Sequence, residues 1–125
     1  MDENSLSNLV INRAIKVHQT LGPGLLESSY QECLYYELVQ SGLNVDKEKA
    51  LPLIYEEVKL EFGYRIDLLV ERKLVIEVKA VDAIHDLHLA QVLTYLKLSD
   101  CRLGLILNFN VTLMKDGIRR VVNGF

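Results

Sequence analysis

Two carboxylates and a lysine interrupt the most apolar stretches of this sequence. Asp67 lies inside Tyr64–Val70 (YRIDLLV), and Glu77 and Lys79 lie inside Leu74–Ala80 (LVIEVKA). Both stretches have the composition of strands, and the charged Glu71-Arg72-Lys73 between them reads as a hairpin loop. Alternation puts Glu77 and Lys79 on one face and Ile76 and Val78 on the other, while Asp67 shares a face with Arg65 and Leu69. A loop of residues 71–73 pairs Val70 with Leu74, and counting back sets Asp67 opposite Glu77. Directly opposed residues have Cβ atoms about 4.5–5.5 Å apart. Like charges at that separation are costly unless a cation lies between them. Oxygen ligands suit a hard divalent ion, Mg²⁺ first and Mn²⁺ as its substitute. The competing expectation is an open sheet whose solvent face carries Glu77–Lys79 and Asp67–Arg65 as exposed ion pairs. The apolar surroundings, and helices on both sides in sequence that need a sheet face to cover, favour a site.

Hydrophobic periodicity supplies the elements that must position these groups. Leu6, Leu9, Val10, Ala14, Val17 and Leu21 recur at helical spacing, so Ser5–Thr20 predicts an amphipathic helix stopped by Gly22-Pro23-Gly24. A second helix is expected from Leu25 or Leu26 to about Gln40, with Tyr30, Leu34 and Leu38 inward and Ser41-Gly42 as its stop. The period then moves towards two. Leu43 and Val45, then Leu51, Leu53 and Tyr55, then Val58, Leu60 and Phe62 read as short strands, with Glu56-Glu57 as a turn. A third helix is expected over Asp86–Leu98, with Leu87, Gln91, Thr94, Tyr95 and Leu98 near one face. Leu103–Phe109 (LGLILNF) is the run of a strand buried on both faces, and Leu113–Val122 should hold a last turn or hairpin around Asp116-Gly117. The expected class is mixed α/β, in the order α-α-β-β-β-β-α-β-β, with a central mixed sheet flanked by helices.

Composition narrows the function classes. The chain has 125 residues, 50% hydrophobic and 25% charged, which fits one globular domain over residues 1–125 and excludes intrinsic disorder. No apolar run is long enough for a membrane-spanning helix, so no membrane partner is expected. The acidic start, Met-Asp-Glu-Asn, has no apolar core of a signal peptide. Cys33 and Cys101 sit in apolar segments without metal-ligand spacing, and a cytoplasmic setting is expected. His18, His85 and His88 lack a third ligand nearby in sequence and are expected at the surface or a cleft rim. The Arg119-Arg120 pair reads as a solvated strand end. A net charge of −3 argues against coating nucleic acid nonspecifically, because such binding is driven by phosphate neutralisation. The 17 Asp+Glu exceed the 14 Lys+Arg by three.

Asp67, a spacer of nine residues, and Glu77-Val78-Lys79 form the D-x(n)-E-x-K pattern of the PD-(D/E)xK nuclease superfamily. Upstream, Gly24-Leu25-Leu26-Glu27-Ser28-Ser29-Tyr30 matches the G-x-x-E-x-x-Y signature of the GxxExxY family, a small bacterial branch of that superfamily. Downstream, Gln91-Val92-Leu93-Thr94-Tyr95 resembles the Q-x-x-x-Y helix of exonuclease-type members. The surrounding Leu21–Gly24, Leu105–Asn110 and Lys115–Arg120 also look like the family, so the resemblance covers nearly the whole chain. It implies a restriction-endonuclease-like core. It further implies Glu27 as a helix-borne metal ligand, Asp67 and Glu77 as strand-borne ligands, and the backbone carbonyl of Val78 as a further donor. Lys79 would orient the attacking water and stabilise charge at the phosphate, and Gln91 and Tyr95 would line the cleft. Gly24 is read as a loop or helix-start glycine, and Tyr30 as core packing or a bond behind the ligands. One departure is visible: the proline that names the superfamily is Ile66 here, a position that coordinates nothing.

The function so implied is Mg²⁺-dependent hydrolysis of phosphodiesters in nucleic acid, DNA before RNA, without base-specific readout by one subunit. An end, flap, junction or single strand is the expected substrate, engaged weakly, with a homodimer or protein partner as a further expectation. The alternative is a catalytically silent module that keeps the nuclease fold as a nucleic-acid or protein-binding, dimerising platform.

Overall fold

In the computed structural model, which describes residues 1–61 and 63–125, three helices pack on a five-stranded sheet. The first helix, α1, spans Glu3–Leu21, starting ahead of the expected Ser5 because the Asp2 side chain accepts the Ser5 N–H at 2.8 Å. It ends where Gly22, at φ +70°, sends its N–H back to the His18 carbonyl. Leu6, Val10, Ala14 and Val17 form the buried stripe, whereas Leu21, expected on it, is exposed as the last residue of the helix. The second helix, α2, spans Glu27–Gln40 and buries Tyr30, Leu34 and Leu38 as expected.

Strand β1 runs over Val45–Ala50 (VDKEKA), beyond the short strand that Leu43 and Val45 suggested. It is an edge strand, and its charged side chains keep that edge solvated. A small hairpin of its own, β2 (Leu53–Tyr55) with β3 (Val58–Leu60), follows around the expected Glu56-Glu57 turn. Phe62, assigned to a strand from its spacing, lies outside the described residues. Strands β4 (Arg65–Val70) and β5 (Leu74–Lys79) pair antiparallel with Val70 opposite Leu74, the register counted from the sequence. Five strands therefore separate α2 from the next helix, one for each stretch read as a strand from the sequence and one more than the expected order counts.

After β5 comes α3 (Asp86–Ser99), then β6 (Leu103–Asn108), parallel to β5, and β7 (Ile118–Val122), antiparallel to β6. A single 3₁₀ turn, Met114–Gly117, occupies the region where a turn around Asp116-Gly117 was expected. The sheet order is β1-β4-β5-β6-β7. Every residue of β6 is buried, in keeping with the double coverage its unbroken apolar run predicts.

Two apolar layers hold the sheet. On one side α1 and α2 meet Leu68, Val70, Ile76, Val78, Leu105 and Leu107. On the other, α3 meets Leu69, Val75 and Ile106 through Val92, Tyr95 and Leu96. The inward stripe of α3 thus differs from the expected one: Leu87 is 81% exposed and Gln91 is exposed, because the helix rests on Val92 and Leu96. His18 also departs from the surface placement expected of it. One step past Val17, it is buried, with Nε2 2.7 Å from the Val111 carbonyl, and so ties α1 to the loop after β6. No helix among the described residues is long and apolar enough to cross a membrane.

The approach of α3 to the sheet depends on Gly104. A Cβ there would stand 2.9 Å from Val92 Cγ1 and 3.3 Å from Leu96 Cδ2. Both neighbours are buried and closely packed, so Gly104→Ala should destabilise the fold by about 1–3 kcal/mol. Equilibrium urea unfolding checks this, through a lower midpoint at unchanged slope.

Candidate active site

The site forms at the C-terminal end of β5, where its neighbours β4 and α2 converge. The Asp67 carboxylate is partly buried, and its Oδ2 accepts the Val78 N–H at 2.8 Å. The pairing of β1 with β4 skips Asp67, with Glu48 across from it at φ +52°. Asp67 thus reaches across to the β5 backbone at a break in the β1–β4 ladder. Glu77 shares its face with Val75 beneath α3 and is only 4% exposed, which overturns the open-sheet alternative for this carboxylate. Val78 points the other way, into the layer under α1 and α2.

Glu77 Oε1 is buried without any hydrogen-bond partner. Burial, followed by the Asp67 charge, pushes the Glu77 carboxyl up to about 9, against the weaker pull of Lys79. Asp67 is also raised by burial, while the Val78 N–H and Lys79 hold it down. Without a cation, the pair therefore keeps a proton at neutral pH. Lys79 is half-buried, acts on both carboxylates, and makes no ion pair among the described residues.

Glu27 arrives from the far side of the sheet. It is the first residue of α2, where the helix dipole favours an acid, and its Oε2 accepts the Ala80 N–H at 3.3 Å. The preceding loop is shaped by Gly24 at φ +97°. Tyr30 pins that loop: its hydroxyl donates to the Gly22 carbonyl at 2.6 Å and accepts the Leu25 N–H at 3.1 Å. Its fully buried ring stacks on Phe109 at 4.6 Å. Tyr30 is thus packing and loop clamp together, and Gly24 contributes backbone shape alone.

The α3 residues divide. Tyr95 is buried and Gln91 exposed, yet both line one cleft with Leu53 and Tyr64. Burial raises the Tyr95 hydroxyl, with the nearby Glu77 and then Asp67 adding to the effect.

Asp67, Glu77, Lys79 and Tyr95 therefore share one region, with Glu27 at its rim. Among the described residues, no group of three or more His, Cys, Asp and Glu side chains is gathered as a ready metal site. The residues nonetheless fit a cation, because a buried carboxylate oxygen without a donor beside a second carboxylate is completed by one. Mg²⁺ needs no more, since it is commonly held by one or two carboxylates together with water and substrate phosphate.

Three further residues have no role in the sequence reading. Asn108 stands across from Lys79 on β6, where its amide accepts the Val81 N–H at 3.1 Å and donates to the Val81 carbonyl at 2.9 Å. It fixes the chain as it leaves the site, and a polar residue ending the LGLILN run was its available signal. His88 accepts the His85 N–H on Nδ1 at 3.1 Å, capping α3. Burial and then Lys79 lower its pKa, which sets it near the lysine. Tyr64 walls the cleft, a position that spacing alone could not reveal.

Two outcomes follow. A carboxyl near 9 in the fold and 4.5 unfolded binds more protons in the native state across that interval. Stability of the metal-free protein should thus fall as pH rises from 5 to 9, by up to about 1.4 kcal/mol per pH unit for this group. Glu77→Gln should flatten the profile, as read by thermal unfolding at a series of pH values. Tyr30→Phe leaves the Gly22 carbonyl and Leu25 N–H without their partner and should lower stability by about 1–3 kcal/mol in denaturant unfolding.

No curated protein and no solved structure matches the chain. A family comparison does, over residues 4–121, a span that includes every site element from α2 to β6. With the paired carboxylates and lysine at the end of β5 inside a mixed sheet flanked by helices, that match gives the assignment: this chain belongs to the PD-(D/E)XK nuclease superfamily.

Proposed function

We propose that this protein is a divalent-metal-dependent nuclease that hydrolyses phosphodiester bonds, in DNA before RNA, and that its Gly24, Glu27 and Tyr30 signature sets it in the GxxExxY branch. The observation that carries this reading is the orphaned, buried Oε1 of Glu77 opposite Asp67. Asp67 and Glu77 would hold Mg²⁺, or Mn²⁺ in its place, with Glu27 and the Val78 carbonyl as further oxygen donors. When bound, the ion lowers the pKa of a coordinated water and polarises a phosphoryl oxygen.

The remaining chemistry belongs to the chain. Lys79 sets positive charge where the phosphate gains negative charge, inside a partly dehydrated face where such a charge acts strongly. The Asp67–Val78 bond holds β4 against β5, so the carboxylate and the lysine keep their relative position. Tyr95, beneath the cleft, excludes water from the inner side of Glu77, and Gln91 at its mouth orients water or substrate. Engagement of nucleic acid is weak and salt-sensitive, since the surface has no large basic excess. A cytoplasmic setting suits the two free cysteines. The exposure of Glu27, and the lack of a tight cluster of three ligands among the described residues, favour as second reading a silent module that binds nucleic acid or a protein partner.

A metal titration separates the two. Millimolar Mg²⁺ or Mn²⁺ should raise the melting temperature of the wild type and leave Asp67→Asn unmoved. Lys79→Ala should cut single-stranded, flapped or duplex DNA roughly 10²–10³-fold more slowly than wild type. Equal cleavage by both proteins, or no metal-dependent shift, rejects the nuclease reading.

A further inference from the structure

The cleft over Tyr95 has walls that phosphate hydrolysis does not require. It encloses about 200 Å³ and is lined by Leu53, Tyr64, Gln91, Thr94, Tyr95 and Leu98. That is below the size of pockets that take drug-like molecules, and it suits one flat ring system. Its walls are aliphatic and aromatic. Gln91 presents an exposed amide with both donors and an acceptor, the group best able to read the edge of a heterocycle.

Tyr64 closes the outer side. It is 43% exposed, yet its backbone is fixed, because its carbonyl accepts the Leu51 N–H at 2.8 Å. Leu53 comes from β2, which pairs with β3 in a hairpin whose Ile54 and Tyr55 on β2 and Val58 on β3 are exposed. On the inner side the cleft adjoins the paired carboxylates, because Tyr95 packs with Leu69 and Val75, the same-face neighbours of Asp67 and Glu77.

We propose that this cleft is a nucleobase subsite in which the base stacks on Tyr64 and meets Gln91 at its edge, so that the substrate is single-stranded nucleic acid; this rests on the nuclease reading above. A base inside a duplex is stacked on both faces and cannot enter, whereas an unpaired base presents its face and edge freely. Stacking also needs no phosphate neutralisation, which suits a chain of net charge −3.

The test measures binding by fluorescence anisotropy in EDTA, using a labelled thymidine oligomer, the matching duplex and an abasic sugar-phosphate oligomer of equal length. Wild type should bind the single strand tighter than the duplex. Tyr64→Ala should weaken single-strand binding on the order of tenfold, Tyr64→Phe should retain it, and both variants should keep the wild-type melting temperature. On the abasic oligomer, wild type and Tyr64→Ala should bind alike. The proposal is overturned if Tyr64→Ala binds the single strand as wild type does, or if it weakens all three ligands equally. A base-dependent effect of Tyr64 in a protein that cuts nothing would remove the nuclease reading and leave the base pocket standing. Cleavage of single strands that Tyr64→Ala leaves unchanged would do the reverse.

Discussion

Everything at the end of β5 depends on one electrostatic constraint, the burial of Glu77 opposite Asp67 under α3. Removing two carboxylates from water and facing them across adjacent strands is unfavourable as long as both are ionised. The fold tolerates it because the Val78 N–H holds Asp67, Lys79 stands on the same face, and Glu77 keeps a proton. Each of these is a partial remedy, and the partnerless Oε1 marks what is missing. The proposed ion would relieve this cost, since binding one there would exchange a retained proton for a compensated charge.

Holding such a pair in register requires support from residues far away in the chain. Val70–Leu74 pairing sets the carboxylates opposite each other, and the parallel β5–β6 ladder sets Lys79 beside Asn108. Asn108 then fixes Val81, and Tyr30 anchors the loop ahead of Glu27 by resting on Phe109, the residue after Asn108. Two sides of the site are thus tied to the same end of β6. Gly104, near the start of that strand, lets α3 lie close enough for Tyr95 to cover the face that Glu77 occupies.

Bulk charge and local charge tell different stories here. The net charge of −3 disfavours a phosphate-bearing partner, yet the three acids proposed as ligands, Glu27, Asp67 and Glu77, equal the whole excess. The cleft wall formed by Tyr64 and Leu53 would add, in the proposed base subsite, an apolar route to affinity that the formal charge does not record.

Much of this was legible in the sequence, for reasons of periodicity. Alternation in two apolar strands and a short charged loop determined the register that faces Asp67 with Glu77, because a slip by one would turn the apolar set to the wrong side. The first two helices were equally visible in their stripes and stops, and α3 in its span, as was the double burial of β6. Other features needed the tertiary structure. The edge strand β1 is charged along its length, so nothing in its composition announces a ladder with β4. His18 looked like a surface residue until the loop after β6 supplied its carbonyl partner. The face of α3 was misjudged because Gln91 and Leu87 share a helical spacing with true core residues, and only the position of β6 selects which side is dry. Residue types and spacing determine which groups can act together along one element. Burial, and with it the raised Glu77, the cleft under Tyr64 and the reach of Glu27 to Ala80, depends on contacts between residues distant in the chain, which only the folded arrangement decides.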